Sequence, residues 1–194
     1  MTLSPHNGAR QRAPRSDGLQ NRARVRAAAR ELLATQGVAA SVADIAARAG
    51  VSKGTVLRHY LTKEQLVAEV TLEALNELLG RSAALLHAGE PFAALESFMI
   101  AVLQLQDRDQ AFCDVVNQAA PSDPEVAGAV ARIGAVLQEL TDRAKAVHAV
   151  AEHITGDDVL ALTNGIHAAA RPGLETESEP WRRYLDVILK GMQN

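Results

Sequence analysis

The stretch Ser41–Gln65, SVADIAARAGVSKGTVLRHYLTKEQ, leaves the chain few folds to choose from. Ser41 is a good N-cap, and Asp44, three residues on, is placed to reciprocate in a capping box. A first helix runs through Ile45 and Ala46 to about Ala49. Gly50 then supplies the left-handed residue that ends it. Val51 fills the angle of the turn, and Ser52 caps a second helix, roughly Lys53 to His59. Thr62 opens a third, with Lys63 in its first turn and Gln65 at the capping-box position. A helix, a glycine turn and a short basic helix form a helix-turn-helix, whose second helix suits a DNA major groove.

A helix this short buries little by itself, so its outward side chains are there for a partner. Lys53 and Arg58 can donate to guanine O6 and N7 or to phosphate. Gly54 lacks a Cβ, so its backbone can approach DNA closely. Thr55 can bond a phosphate or meet a thymine methyl. His59 and Lys63 are placed for phosphate contacts. Ser41, Ser52 and Leu57 complete the candidate DNA-binding set. Val56 and Tyr60 are expected to anchor the helix to the core beneath it.

The residues Ile45-Ala46, Ala49-Gly50-Val51-Ser52, Gly54-Thr55, His59-Tyr60 and Thr62-Lys63-Glu64 together resemble the DNA-binding signature of the TetR (tetracycline-repressor-like) family of bacterial transcriptional regulators. The rest of the chain resembles that family in length and helical layout, not in any specific motif. The resemblance implies DNA contact at the positions just named and a repressor's role. It also implies phosphate contact near the N-terminal end of the preceding helix, through Arg22 or Arg26. Leu57 departs from the pattern, which usually carries an aromatic residue there, most often tyrosine. Leucine cannot bond a phosphate, so Leu57 either meets a thymine methyl or packs. Tyr60 stands where phenylalanine is commoner.

Charge divides the chain in the same place. Residues 1–63 hold eleven Lys/Arg and three Asp/Glu, a net of +8, and the remainder carries −11. A basic third beside an acidic remainder points to a polyanion-binding module joined to one that does not touch nucleic acid. Three regions follow: a disordered basic arm over 1–18, a DNA-binding headpiece over 19–63, and a helical ligand-binding and dimerisation domain over 64–194. The arm has no apolar periodicity. Leu19 to about Thr35 reads as a helix with Val25, Ala28, Ala29, Leu32 and Leu33 on one stripe.

Beyond the headpiece every segment keeps helical spacing, so the expected fold is all-α with about nine helices. Aromatics are only 3%, which favours helix over sheet. A long helix from Lys63 to about His87 would join headpiece to body. Others are expected over Pro91 to about Asp107, Asp109 to Gln118, Pro124 to about Val147, Thr155 to about Ala170, and Glu179-Pro180 to about Met192. Arg171-Pro172-Gly173 reads as a stop and 174–178 as a polar, acidic loop. The middle helices are expected to enclose an apolar cavity. Phe98, Met99, Val102, Phe112, Cys113 and Val116 are its candidate lining, with Asn117, Leu137, Leu140, Asn164 and His167. Asn117, Asn164 and His167 stand out, because polar groups on apolar helices need partners. Gln104, Gln106 and Gln118 rank below them. Val159, Leu162 and Ile166, with Trp181, Tyr184, Leu185, Ile188 and Leu189, form stripes that suggest a four-helix dimer interface. The alternative is that both helices bury only within their own subunit.

No spacing among His148, His153 and His167 matches a metal site, and nothing local activates Cys113. No catalytic residue, metal or cofactor is assigned. The single cysteine and the lack of an apolar run of membrane-spanning length fit a cytoplasmic protein without a membrane partner. The reading is a homodimeric, ligand-responsive transcriptional regulator. It binds a pseudo-palindromic double-stranded operator and is released by a small, largely apolar effector. The rival is a helical interaction protein whose headpiece serves a non-DNA role, which predicts no salt-dependent DNA affinity.

Overall fold

The computed structural model describes residues 14–116, 121–170 and 179–193. The arm up to residue 13, Asn117, Gln118 and the 171–178 stop and loop lie outside them. Among the described residues there are nine α-helices and no strand. They are α1 (Pro14–Gln36), α2 (Val42–Ala49), α3 (Lys53–His59), α4 (Lys63–Leu85), α5 (Pro91–Arg108), α6 (Gln110–Val116), α7 (Pro124–Ala146), α8 (Gly156–Ala169) and α9 (Trp181–Met192). A 3-10 turn, Gly37–Ala39, follows α1.

The caps read from the sequence set most of these ends. Ser41 Oγ accepts from Asp44 N at 3.1 Å, and Gly50 stops α2 at φ 65°. Asp44 returns its carboxylate to the Ser41 hydroxyl. Ser52 accepts from Thr55 N and Thr62 from Gln65 N. The Gln65 side chain reaches Leu61 N, one residue beyond the expected capping box. Thr155 and Asp158 form the full reciprocal box. Asp123 caps α7 with Pro124 in its first turn, where a missing N–H costs nothing.

One boundary differs from expectation. The first helix begins at Pro14, not near Leu19, so residues 14–18 are helix rather than arm. Apolar periodicity gives no signal there, and where side chains are described Asp17 and the adjoining Leu19 are exposed. Proline tolerates the opening turn, and Asp17 sits favourably at a helix N-terminus.

Two apolar cores result, and α4 serves both. The headpiece core takes Val25, Ala28, Ala29 and Leu33 from α1, Ile45 and Ala46 from α2, and Val56 from α3. Leu66, Val67 and Val70 of α4 close it. Two turns later Leu75 and Leu78 of the same helix enter the body core, beside Leu95, Phe98, Met99, Leu137 and Leu140. The short α6 also divides: Ala111 joins the headpiece core and Phe112 the body core. Asp114 on α6 accepts a hydrogen bond from Val38 N at 2.9 Å. Gly37 makes that approach possible: its φ is +61°, and a Cβ there would overlap the Asp114 carboxylate. The body is thus fastened to the headpiece twice, by a continuous helix and by a side-chain latch.

Candidate nucleic-acid interface and body cavity

Val56 is 1% exposed and Tyr60 3% exposed, so α3 sits on the headpiece through the two anchors expected of it. That fixes its opposite face outward. Ser52, Lys53, Gly54, Leu57 and Arg58 are exposed, and Thr55 and His59 half-buried. Arg58 is pre-arranged: its Nε donates to Gly54 O at 3.3 Å and its Nη2 lies 3.4 Å from Thr55 Oγ1. A long side chain held against its own helix loses less freedom on meeting a base. Leu57 is 40% exposed, so it does not pack as core; it presents its methyls to whatever meets this face. Thr55, Arg58 and His59 share a groove with Asp17, Gly18 and Asn21 at the start of α1.

Arg22, Arg26 and Lys63, expected at phosphates, are engaged within the chain, and Arg30 joins the same series. Arg22 pairs with Glu69 at 2.7 Å, Arg26 with Glu73 at 2.9 Å, and Arg30 with Glu77 at 2.8 Å. Both series step by four residues, so one face of α1 is zipped to one face of α4. Arg22 also lies over the Tyr60 ring, 5.5 Å from its centre, and the Tyr60 hydroxyl donates to Glu69 at 3.1 Å. Those contacts, Tyr60 first, raise the Arg22 guanidinium further above its ordinary value. The hydroxyl that phenylalanine would lack therefore ties the end of the recognition helix to α4. Lys63 turns its ammonium to the Val38 carbonyl, next to the α6 latch. Ser41 is exposed at the start of α2, its hydroxyl spent on Asp44.

Inside the body a cavity of about 70 Å³ lies between five helices. It is lined by Leu75 and Leu78 of α4, Val102 and Gln106 of α5, Phe112 and Val116 of α6, Val130 and Ile133 of α7, and Leu160 and Asn164 of α8. Val102, Phe112, Val116 and Asn164 were expected there. Phe98, Met99, Leu137 and Leu140 are fully buried in the packed core and do not line it. Cys113 and His167 stand beside it and face each other, Sγ to Nε2 at 3.4 Å, with Cys113 also bonded to Gln106 O. Burial, with Asp109 and Asp114 nearby, pushes the Cys113 thiol up to about 12, so it stays protonated. Gln106 matters more than its sequence rank implied. It is 3% exposed; its Nε2 donates to Asn164 Oδ1 at 2.8 Å, and its Oε1 has no partner among the described residues. A buried acceptor without a donor costs about 1–3 kcal/mol. The signal was present: Gln106 lies four residues after Val102, on the apolar stripe that Phe98 and Met99 begin.

The expected association stripe divides by burial within the single chain. Val159, Ile166, Trp181, Leu185 and Leu189 are between 0% and 7% exposed and belong to this chain's own core. Leu162, Tyr184 and Ile188 are half-buried, and the outward faces of α8 and α9 carry Ala161, Gly165, Ala168, Val187 and Gly191. Helical stripes showed which residues bury but not against what. Among the described residues no group of three or more His, Cys, Asp or Glu could hold a metal ion. No helix among them is long and apolar enough to cross a membrane.

Comparison with known proteins bears on both halves. Residues 25–70 match the profile described as bacterial regulatory proteins, tetR family. Residues 90–194 match that of the transcriptional regulator SbtR-like C-terminal domain. A TetR transcription regulatory protein from Mycobacterium vanbaalenii is 29% identical, with 93% of this chain and 99% of that one covered and a TM-score of 0.63. The TetR transcriptional regulator SCO0520 from Streptomyces coelicolor is 25% identical over 89% and 98%, with a TM-score of 0.65. A TetR-family regulator from Agrobacterium tumefaciens shares the fold at 18% identity over 91% and 100%, with a TM-score of 0.71. Comparison with curated proteins gives no match.

Proposed function

We infer a mode of action from one premise: the chain belongs to the TetR family of bacterial regulatory proteins, which are DNA-binding transcriptional regulators. We propose that it is a homodimeric repressor whose operator grip is released by a small, largely apolar effector in the body cavity. Two copies would present two recognition helices to half-sites about 34–36 Å apart on a pseudo-palindrome. Lys53, Gly54, Thr55, Leu57 and Arg58 would meet the groove, with Ser41, Ser52, His59 and Lys63 near the backbone. The half-exposed faces of α8 and α9 are the surface offered for pairing. The site of action is the cytoplasm, where the chromosome is.

One observation carries the ligand-responsive part. The helices α4 and α6 line the cavity and also enter the headpiece core. A molecule lodged against Leu75, Leu78, Phe112 and Val116 therefore presses on two helices that also enter the core on which α3 sits. For release it must bind the DNA-incompetent arrangement more tightly than the DNA-bound one.

The test uses the full chain and DNA selected from a random pool. Fluorescence anisotropy should show sequence-selective binding that weakens steeply with salt, and the selected sites should contain paired half-sites. Adding small apolar molecules that raise the thermal midpoint should lower DNA affinity in proportion to that rise. Salt-independent or sequence-blind binding would defeat the DNA reading. Binding of such molecules with no change in DNA affinity would defeat the release mechanism.

A further inference from the structure

We propose that the effector is uncharged and carries one N–H or O–H, which it donates to Gln106 Oε1 at the polar end of the cavity. This rests on the cavity reading above and specifies its chemistry. Two primary amides on facing helices, Gln106 on α5 and Asn164 on α8, can exchange two hydrogen bonds. These two make one, at 2.8 Å, and among the described residues Gln106 Oε1 is left with no donor. Gln106 is 3% exposed, so bulk water does not compensate it. The other lining side chains are hydrocarbon and supply no donor. The Cys113 thiol is turned to the Gln106 backbone carbonyl and to His167.

Charge is excluded by what surrounds the site. The lining contains no Asp, Glu, Lys, Arg or His. An ionised carboxylate or ammonium placed there would lose its hydration with no charged side chain in the described lining to replace it, and the neighbouring Asp109 turns its carboxylate to Phe112 N. His167, which faces Cys113, is held below its ordinary value by burial and stays neutral near pH 7. A neutral donor on an apolar body is the chemistry that remains. It is also selective, because a site built around an unmatched acceptor discriminates against an isostere that cannot donate.

Pyrrole and furan separate the two ideas. They are five-membered rings of similar shape and smaller than benzene, which fills an apolar cavity of about 150 Å³ in another protein, so their entry requires the space of about 70 Å³ here to widen. Pyrrole offers an N–H and furan does not. Titrating each into the ¹⁵N-labelled full chain should move amide signals of α5 and α8, with pyrrole at least about fivefold tighter. In Gln106→Met combined with Asn164→Leu, which removes Gln106 Oε1 together with the Asn164 Oδ1 that loss of Gln106 Nε2 would free, the two rings should bind alike. Equal affinity in the unaltered protein, tighter furan, or a pyrrole preference that survives the double substitution would overturn the assignment and leave the cavity reading standing. If neither ring binds, the cavity reading falls with it. The comparison in the unaltered protein decides the matter even if the doubly substituted chain does not fold.

Discussion

The headpiece closes on small side chains: Ala28, Ala29, Ala40, Ala46 and Ala49 are as buried as Val25 and Ile45. The body closes on large ones, Phe98, Met99, Leu103, Leu137 and Leu140, each fully enclosed. Around its small core the headpiece adds polar fastenings, with caps on α2 and α3, the Arg22–Glu69 to Arg30–Glu77 zip, and Arg48 paired with Glu31. The body has caps of its own at Asp123 and Thr155, but it also leaves a void and an unmatched amide. Exposed ion pairs are each worth about 0–1 kcal/mol, so the zip sets how α1 lies on α4 more than it stabilises the fold. The contrast separates a rigid reader, whose small residues let helices approach closely, from a body with room to repack.

The strongest way to break that division is to cut the large core. Leu137→Ala should cost about 2–5 kcal/mol, the usual penalty for a cavity in a packed interior. Because α4 enters both cores, the loss should reach the headpiece. Trp181, the one tryptophan, lies in the body and reports it by fluorescence, whereas circular dichroism reports all helices. Coincident denaturation midpoints are expected for both probes. Midpoints that separate would mean the two cores unfold independently and α4 is not a rigid link.

On the DNA side, Arg58→Ala should cost about 1–3 kcal/mol at one base position and relax selectivity there. Selection from random DNA reads this directly. An equal loss on every sequence would instead make Arg58 a phosphate contact. Between the regions, Gly37→Ala should cost about 1–2 kcal/mol for the left-handed backbone alone, and it also pushes Asp114 away. Its sharper outcome is a reduced effector response at unchanged effector affinity, measured by anisotropy with and without ligand. An unchanged response would make the Asp114 latch structural only.

The two regions also differed in how much their sequence disclosed. Headpiece signals are local: Ser41, Gly50, Ser52 and Thr62 fix their helix ends within three or four residues, so the motif could be placed to the residue. Body periodicity located each helix to within about two residues and identified what buries. It could not say which partner covers Trp181 or Leu185, because a helical stripe looks the same against its own subunit or a second copy. Phe98 and Gln106 share a stripe on α5, yet only the second reaches the cavity. That depends on how α7 and α8 sit, which no local pattern encodes. The Asp114–Val38 latch spans 76 residues, beyond any local signal.

A smaller change tests whether the polar fastenings matter to reading. Tyr60→Phe keeps the anchor and deletes only the hydroxyl that donates to Glu69. The expected stability loss is about 0.5–1.5 kcal/mol, with selected DNA sequence unchanged. A changed sequence preference would show that the hydroxyl orients α3 and does not merely hold it.

The smallest expected effect belongs to the body and appears as pH dependence. Burial lowers the His167 value below 6.5, partly opposed by Asp107. The unfolded chain therefore takes up a proton at His167 more readily than the folded one. Stability from this residue is complete above 6.5 and is lost as pH falls through the lower folded value. The carboxylates whose values are lowered, Glu64, Asp142 and Asp158, lose their contributions as pH falls from the ordinary carboxylate range through their lowered values. Cys113, the side chain facing His167, stays a neutral thiol throughout and adds no charge of its own. Thermal midpoints at about pH 7.5 and about pH 5.5 should differ more for the unaltered chain than for His167→Gln. Equal differences would assign the acid sensitivity to other groups and leave the cavity's polar edge indifferent to pH.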